Sequence, residues 1–239
     1  MNGYGQYCPM ALACEIVTQR WTPLVLRELM LGKSRFNEIQ TALPRISPTL
    51  LARRLKTLEE AGIIKRWQMR PAVSGYRLTD AGADLVPILQ ALGVWGKTWL
   101  PATLSQIDPD PDLIMWDLHR RIDLEKMPMT QTVICFAFTD QPSQKRYRWI
   151  KGDRSGVELC IRDPGCDVDL FIETDSRTIA WVWYGDITIK EAILRGALRV
   201  DGPDRLCAAF PSWFRLNELA HVPRKVALPV SSSPRDKSG

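Results

Sequence analysis

The sequence predicts an α+β protein of two domains, and three observations support this fold class. Residues 36–79 contain two helix-like segments followed by two strand-like segments. Residues 101–112 are rich in proline and aspartate, a composition typical of a stiff, solvated linker. The second half alternates short strand-like runs with helix-like segments, separated by Gly, Pro, Asp and Ser. We therefore expect an N-terminal domain over residues 1–100, a linker over 101–112, a second domain over 113–222 and a disordered tail over 223–239.

The composition is that of an ordinary globular protein. Hydrophobic residues make up 45% and charged residues 25% of the 239 residues, and this length suffices for a core in each domain. The net charge of +5 is unevenly distributed, because the first hundred residues are basic and residues 101–223 are mildly acidic. A basic domain followed by an acidic one indicates that a nucleic acid binds only the first domain.

Apolar periodicity predicts four helices before the strand pair, over residues 8–20, 21–31, 34–43 and from 47 onward. Thr22 is expected to cap the second helix, with Pro23 at its first position. A long apolar helix follows from Asp80 to residue 99 and has more apolar surface than one core needs. We expect this helix to pack on a second copy of the chain; the alternative is packing on the second domain of the same chain.

The helix after residue 47 has two different faces. Ser47 is a good N-cap, Pro48 suits the first helical position, and Gly62 ends the helix. One face is apolar, with Leu51, Leu55 and Leu58. The other face carries hydroxyls and cations, at Thr49, Arg53, Lys56 and Thr57. Such a helix fits the DNA major groove while its cations reach phosphates. The alternative is an amphipathic helix with an ordinary solvated face.

The strand pair over residues 63–79 is predicted to be a hairpin with a basic tip. A turn signal stands at Arg70-Pro71, between a strand containing Lys65 and Arg66 and a strand containing Tyr76. Cations on a hairpin beside a groove-binding helix can contact the DNA backbone. The whole segment is therefore predicted to be a helix-turn-helix followed by a two-stranded hairpin.

No motif indicates an enzyme, a cofactor site or a metal site. The sequence contains no nucleophile elbow and no dinucleotide loop. The six cysteines form no Cys-x-x-Cys pair, and the two histidines, His119 and His221, lie far apart. We expect no catalytic residues, no cofactor, no metal and no disulfide framework.

The N-terminus and the apolar segments predict a cytoplasmic protein without a membrane partner. No basic segment followed by an apolar run begins the chain, so no signal peptide is expected. The longest uncharged apolar stretch, residues 85–96, is too short to span a bilayer and contains Pro87.

A series of short motifs runs through the first hundred residues: Cys8-Pro9, Arg20-Trp21-Thr22, Arg27-Glu28-Leu29, Gly32, Arg35-Phe36-Asn37-Glu38, Ile46-Ser47, Leu51-Ala52-Arg53-Arg54-Leu55, Leu58-Glu59-Glu60-Ala61-Gly62, Tyr76-Arg77-Leu78-Thr79, Gly82 and Trp95-Gly96. Together they resemble the HxlR-type winged helix-turn-helix transcription regulators, a group within the MarR-like set. The resemblance implies a homodimer that binds a two-fold-related operator in double-stranded DNA. It also implies which residues lie on or beside the DNA: Ser47, Thr49, Arg53, Arg54 and Lys56 on the recognition helix, and Arg70 on the wing.

Family members often carry a reactive cysteine just before the first helix, and Cys8 matches that position. A thiol near a helix N-terminus has a lowered pKa and is more readily oxidised. Redox sensing through Cys8 is therefore one hypothesis, and an ordinary unreactive cysteine is the other. Cys14 lies inside the predicted helix and is expected to be a small core residue.

Motifs in the last third of the second domain support a second resemblance: Trp183-Tyr184-Gly185-Asp186, Ile189 to Ile193, Arg195-Gly196-Ala197-Leu198, Val200-Asp201-Gly202 and Phe210 to Trp213. They resemble the sterol-carrier-protein-like domain, which implies a small sheet with flanking helices around an apolar tunnel for a lipid-like ligand. The candidate pocket residues are Trp116, Phe136, Phe138, Trp181 and Trp183. The alternative for each of these aromatic residues is a place in the core.

The sequence thus predicts a homodimeric, DNA-binding transcription regulator that an apolar small molecule controls through its second domain. Binding of that effector is expected to change the spacing or the stability of the dimer, through the linker and the long helix. Two other hypotheses remain: a redox switch that uses Cys8, and a lipid carrier whose winged domain does not bind DNA.

Overall fold

The computed structural model describes residues 3–70, 73–100 and 109–226, without the side chains of residues 69, 70 and 73. The chain divides into two compact units, Met1–Gly93 and Val94–Gly239. The division falls inside the long helix, whereas the sequence predicted it in the linker at 101–112. Residues 101–108 of that linker lie outside the described residues.

The first unit has the predicted helix-turn-helix followed by a hairpin. Its elements are α1 (Pro9–Val17), α2 (Thr22–Met30), α3 (Phe36–Ala42), α4 (Pro48–Glu60), β1 (Ile64–Arg70), β2 (Val73–Leu78) and the first part of α5 (Asp80–Trp99). β1 and β2 are antiparallel, with Ile64 opposite Leu78. The backbone N–H of Tyr76 donates to Ser34 O at 2.7 Å, which attaches β2 to the segment before α3.

The core of the first unit lies among α2, α3, α4 and the base of the hairpin. It contains Val25, Leu26, Leu29, Ile39, Leu43, Ile46, Leu51, Leu55, Leu58, Ile63 and Ile64. The predicted apolar face of α4 is confirmed, because its three leucines are all fully buried. Burial of this face fixes which side of α4 remains in solvent.

The start of α2 differs from the prediction. Trp21, not Thr22, is the N-cap, and its φ of 78° is the left-handed conformation. Thr22 is instead a buried helical residue whose backbone N–H donates to Gln19 O at 2.9 Å. The tight turn that joins α1 to α2 therefore takes the place of a hydroxyl cap.

The start of α5 packs closely against the end of α4. The Thr79 hydroxyl donates to Gly62 O at 2.6 Å and accepts from the backbone N–H of Gly82 at 3.2 Å. A Cβ added to Gly82 would lie 2.2 Å from Ile63 O, so no side chain fits there without a backbone shift.

The second unit is a five-stranded sheet with helices, in agreement with the predicted α+β class. After α6 (Pro111–His119), its elements are β3 (Thr132–Phe138), β4 (Tyr147–Asp153), β5 (Gly156–Cys160), β6 (Leu170–Thr174), α7 (Ser176–Trp183), α8 (Ile189–Leu194), β7 (Leu198–Asp201) and α9 (Asp204–Ala209). The strand order is β5-β4-β3-β6-β7. β3 pairs antiparallel with β4 and parallel with β6, and all seven of its residues are buried.

The last residues of the predicted linker are ordered, contrary to the expectation of a solvated connector. Pro111 is the buried first residue of α6, and the Asp110 carboxylate caps that helix by accepting from the backbone N–H of Asp112 at 3.1 Å. Asp112 itself pairs with Arg148 at 2.5 Å. The guanidinium of Arg148 is almost completely buried, so Asp112 supplies the charge that it needs.

The first residues of the predicted tail are also ordered. Arg224 donates from Nη1 to Leu100 O at 2.9 Å, and its Nε lies 2.8 Å from Asp186 Oδ1. The same carboxylate accepts from the amine of Lys97, which also donates to Tyr184 O at 2.7 Å. Lys97 and Asp186 are both buried, so this cluster of two cations and one carboxylate is part of the interior. Residues 227–239 lie outside the described residues.

Candidate nucleic-acid interface and ligand pocket

The solvent face of α4 carries three of the predicted DNA contacts. Thr49, Arg53 and Lys56 are exposed and recur at intervals of four and three residues. At about 100° per residue, their mean direction is roughly 160° from that of the three buried leucines. Ser47 caps the helix, since its hydroxyl accepts from the backbone N–H of Leu50 at 3.3 Å. The solvent face of α4 is thus polar and positively charged.

Two side chains of α3 hold the backbone at either end of this helix. Gln40 donates from Nε2 to Ile46 O at 2.8 Å. At the other end of α3, the Glu38 carboxylate accepts from the backbone N–H of Arg35 at 2.9 Å and of Ser34 at 3.1 Å. These bonds, with the Arg35 side chain, lower the pKa of Glu38 to about 2. The carboxylate therefore stays charged at neutral pH and keeps the helix N-terminus capped.

Arg53 and Arg54 have different surroundings although they are adjacent. The structure describes no ion pair or hydrogen bond of the Arg53 side chain with any residue in its described ranges, and this side chain is exposed. Arg54 is half-buried, donates from Nε to Arg20 O at 3.0 Å, and donates from Nη1 to Gln19 Oε1. Arg54 was predicted to face DNA, but here it holds the turn between α1 and α2. The step of about 100° between successive helical residues separates the two guanidinium groups.

Lys56 and the hairpin cations are only loosely paired. Lys56 lies 3.6 Å from Glu60 across one helical turn, with both side chains mostly exposed. Arg66 pairs with Glu59 of α4 at 3.3 Å. Exposed pairs of this kind contribute little to stability, so these cations remain able to bind phosphate. The side chain of Arg70, the predicted wing contact, lies outside the described side chains.

Three further cations lie near these residues in the sequence: Lys65 and Arg66 of the predicted basic hairpin, and Arg45, which the sequence did not single out. All three are exposed, and Arg45 lies in the turn directly before Ser47. The position of Arg45, two residues before the N-cap of α4, could have indicated from the sequence that this cation lies beside the helix N-terminus. Lys65 and Arg66 lie in β1, next to α4 in the chain.

Cys8 lies where the resemblance predicted it, at the N-cap of α1. Its side chain is exposed, and hydrogen bonds from the backbone N–H groups of Ala11 and Met10 lower the pKa of its thiol. By contrast, burial raises the pKa of the Cys135 thiol to about 11. Among the cysteines, Cys8 thus combines access to solvent with stabilisation of the thiolate.

Comparison with known proteins identifies the first unit. The family model described as HxlR-like helix-turn-helix matches residues 16–104. The HTH-type transcriptional regulator YvaP of Bacillus subtilis is 39% identical over 98 residues, which are 40% of this chain and 91% of YvaP. The chain belongs to the HxlR-like helix-turn-helix family. It is a transcriptional regulator of that family, and the match concerns its first hundred residues.

Other HxlR-family members are similar over the same part of the chain. The HTH-type transcriptional regulator YodB of Bacillus subtilis is 37% identical over 91 residues, covering 37% of this chain and 81% of YodB. The solved structure of the reduced form of YodB covers 38% of this chain and 93% of that chain, with 35% identity and a TM-score of 0.35.

In this HxlR-family regulator, α5 carries an apolar stripe that is left in solvent. Ile88, Leu92, Trp95 and Trp99 are each about half exposed. Their spacing of four, three and four residues puts them on one side of the helix. Leu85 and Leu89, on a neighbouring side, pack against the core of the first unit. An exposed apolar stripe of this length is typical of a protein–protein contact.

Three of the five aromatic residues predicted to line a ligand pocket belong to the buried core of the second unit. Phe136, Phe138 and Trp183 are fully buried in the core of the second unit, and Phe136 lies 6.5 Å from Phe138 between ring centroids. Trp181 packs against the same core. Trp116 lies against His119, with 4.9 Å between ring centroids. The alternative interpretation of these residues, as core, is the correct one for Phe136, Phe138 and Trp183.

Two cavities of the second unit have other linings. One, of about 440 Å³, is lined by Lys126, Met127, Pro128, Met129, Thr130, Arg154, Arg205, Leu206, Ala209 and Trp213. The other, of about 480 Å³, is lined by Val182, Gly185, Ile187, Thr188, Ile189, Leu216, Asn217, Ala220 and His221.

The described parts of the chain contain no group of three or more His, Cys, Asp or Glu side chains that could hold a metal ion. None of the helices within those same parts is both long enough and apolar enough to cross a membrane.

Proposed function

We propose that this regulator is a homodimer that binds double-stranded operator DNA through the solvent face of α4, with the β1–β2 hairpin contacting the adjacent backbone. The observation that carries the proposal is that face itself. Thr49, Arg53 and Lys56 lie along one side of a helix whose opposite side is buried in the core. Hydroxyls and cations along the exposed side of a helix suit base edges in the major groove, and the flanking cations suit phosphates.

Dimerisation is proposed to use the exposed stripe of α5. Covering Ile88, Leu92, Trp95 and Trp99 with the same stripe of a second copy gives a self-complementary two-fold contact. Two recognition helices then enter successive major grooves, and the half-sites lie about one helical turn apart, roughly 34–36 Å. Sedimentation of wild type and of Leu92→Glu tests this contact, because a charge in the stripe should yield monomers.

The test of DNA binding is fluorescence anisotropy with the DNA upstream of the regulator's own gene, over a series of salt concentrations. Arg53→Ala is expected to weaken binding by about 1–3 kcal/mol, the range for one specific base contact. If Arg53 binds a phosphate instead, the salt dependence should fall by about one unit of slope. Affinity equal to wild type would contradict the proposed interface.

Two matched variants make this test specific. Arg162→Ala removes an exposed arginine of the second unit and should leave DNA affinity unchanged. Arg54→Ala removes the neighbour of Arg53 and should lower the stability of the first unit, since it breaks the bonds to Arg20 O and Gln19. Comparison of Arg53→Ala with Arg54→Ala therefore distinguishes the loss of a DNA contact from the loss of stability of the first unit.

We also propose that the second unit resembles a sterol-carrier-protein-like domain and binds an apolar effector that changes DNA affinity. Coupling requires that the effector bind two states of the dimer unequally. The proposal is supported by a separate compact unit with its own sheet and cavities. Deleting the second unit should abolish any effect of the effector on operator affinity.

A second candidate function, redox sensing through Cys8, is favoured by the lowered pKa and the exposure of that thiol. Cys8 should be alkylated first in the native protein and Cys135 last, because the thiolate is the reactive form. Mass spectrometry of peptides after a brief iodoacetamide pulse measures this order, and since the pKa of Cys8 is lowered, its rate should rise at a lower pH than that of an ordinary cysteine thiol. A Cys8→Ser variant that still releases DNA under oxidant would dismiss redox sensing through this residue.

A further inference from the structure

Lys151 of β4 directs its charge at a sulfur atom. Its Nζ donates to Cys166 Sγ at 3.6 Å, and both side chains are half-buried. The amine is bonded to this sulfur although Glu158 lies opposite Lys151 on β5. A cation beside a cysteine is typical of reactive thiols, because the thiolate is the form that attacks an oxidant.

A second thiol lies beside this pair. Lys151 is opposite Glu158 and Trp149 is opposite Cys160, so Cys160 is diagonal to Lys151 on the same face of the sheet. Diagonal neighbours lie about 7–8 Å apart, which a lysine side chain can span. The pKa of the Cys160 thiol is raised, by burial first and then by Glu158, while Lys151 lowers it and Cys166 raises it. Cys166 and Lys151 are therefore both near enough to act on Cys160.

The chain between the two cysteines turns back on itself. Cys160 ends β5, and Asp163 Oδ1 then accepts from the backbone N–H of Gly165 at 2.8 Å. Gly165 has a φ of 68°, the left-handed conformation that glycine adopts without strain. Cys166 follows directly and contacts Lys151. The turn thus returns the second cysteine to the end of the strand that carries the first.

The buried Cys135 is a poorer partner for Cys166 than Cys160 is. Cys135 of β3 is opposite Trp149 of β4, which is in turn opposite Cys160 of β5. Two strand spacings, roughly 9–10 Å, therefore separate Cys135 from Cys160. Burial also raises the pKa of Cys135 to about 11, which keeps it a thiol.

We propose that Cys160 and Cys166 form a dithiol site that hydroperoxides oxidise to a disulfide. Lys151 holds the Cys166 sulfur and supplies positive charge at the attacking atom. The site lies in the second unit, and the inference depends neither on DNA binding nor on Cys8.

The reaction has two steps. The Cys166 sulfur attacks one oxygen of hydrogen peroxide, the O–O bond breaks, the other oxygen leaves as water with the thiol proton, and a sulfenic acid remains. The Cys160 sulfur then attacks the sulfenic sulfur, the S–O bond breaks, and the hydroxyl leaves as water with the Cys160 proton. Two thiols and one hydrogen peroxide thus give one disulfide and two waters.

The test is peptide mapping of the full chain after treatment with a small excess of hydrogen peroxide and alkylation with N-ethylmaleimide. Trypsin cleaves after Arg154, Arg162 and Arg177, so the two cysteines fall in separate peptides, 155–162 and 163–177. Without reductant, these peptides should appear as one species that is two hydrogens lighter than their sum, and reduction should separate them. Both peptides alkylated, or Cys166 linked to another cysteine, would overturn the proposal.

Cys207 is the internal control for this map. It is half-buried like Cys160 and Cys166, but burial together with Asp204 and Asp201 raises the pKa of its thiol. Cys207 should therefore carry N-ethylmaleimide after the same treatment. Oxidation of Cys207 as fast as that of Cys166 would mean that the Lys151 contact has no effect, and would overturn the proposal.

Variants test the role of each group. Lys151→Met should slow the linkage about fivefold, the effect of one unit charge at about 4 Å in a water-like medium, and Lys151→Arg should restore most of the rate. Lys190→Met, at an exposed position of α8, is the matched control and should link like wild type. In Cys160→Ser the Cys166 sulfenic acid should accumulate and be trapped by dimedone. Equal rates in Lys151→Met and Lys190→Met would overturn the role of Lys151.

A Cys8→Ser variant distinguishes this site from the exposed thiol of the first unit. Linkage between Cys160 and Cys166 should proceed there at the wild-type rate. Loss of the linkage in Cys8→Ser would mean that the disulfide arises by exchange with Cys8, and would overturn the proposal. Because the map needs no DNA, its outcome does not depend on whether the operator is bound.

Discussion

Asp186→Asn is expected to lower the free energy of unfolding of the second unit by about 3 kcal/mol or more, the usual cost of removing one partner of a buried ion pair. Asp186 Oδ1 binds both the Lys97 amine and Arg224 Nε. Burial lowers the pKa of Lys97 and the charge of Asp186 opposes that shift, so the amine depends on this carboxylate to remain charged. The amide of asparagine keeps the shape but leaves two cations without a counter-charge.

Hydrogen exchange during urea titration measures this effect within the full chain. Peptides from β3 and β6 report opening of the second unit, and peptides from α4 are an internal reference that should not change. Asp167→Asn, at an exposed position of the same unit, is the control. Adding Lys97→Met to Asp186→Asn should recover part of the loss, because one unpaired charge is then gone. Wild-type protection in Asp186→Asn would mean that the cluster contributes nothing.

Gly82→Ala is expected to destabilise the first unit by about 1–3 kcal/mol, the usual cost of inserting a methyl group into a packed interior. Helix propensity alone predicts the opposite sign, because alanine in a helix interior is favoured over glycine by about 1 kcal/mol. The structure reverses the sign, since the new Cβ would lie 2.2 Å from Ile63 O and 3.1 Å from Leu78 Cδ2. A backbone carbonyl cannot move aside as a flexible side chain can.

A second glycine of α5 provides the matched control. A Cβ at Gly96 would meet only Leu100 Cδ1, at 3.8 Å, so Gly96→Ala should be neutral or stabilising by up to about 1 kcal/mol. Hydrogen exchange of peptides from α2 and α4 gives the stability of the first unit for Gly82→Ala, and peptides from β3 and β6 give that of the second unit, which contains Gly96. If Gly82→Ala proved as stable as Gly96→Ala, the close approach of α5 to Ile63 would be wrong.

Local patterns were sufficient for the architecture of the first unit. Leu51, Leu55 and Leu58 recur at helical spacing, and a helix with that pattern must bury them, so its polar side faces solvent. Gly62 ends α4 and Ser47 begins it, as their chemistry predicts. The strand-like runs of the second half likewise became the strands of one sheet.

Local patterns were not sufficient for side chains whose partners are distant in the sequence. The sequence predicted the same DNA-facing role for Arg53 and Arg54. In the structure Arg54 instead bonds Gln19 and Arg20, which are more than thirty residues away in the chain. Phe136 and Trp183 looked like pocket residues, yet the sheet and helices close over them as core. Arg224 was expected in a disordered tail, but it pairs with Asp186, which is distant in the sequence and close only in the folded chain.

The sequence by itself determined where the helices and strands lie, which faces of them are apolar and to which family the first hundred residues belong, because these depend on neighbouring residues and short motifs. The tertiary structure alone decided which cations remain in solvent, which aromatic residues are core and where a charged cavity forms, because each depends on groups far apart in the chain. The exposure of Arg53 could be predicted from the apolar pattern of α4. The burial of the Trp213 indole N–H without a partner among the described residues could not, because the groups around it are distant in the sequence.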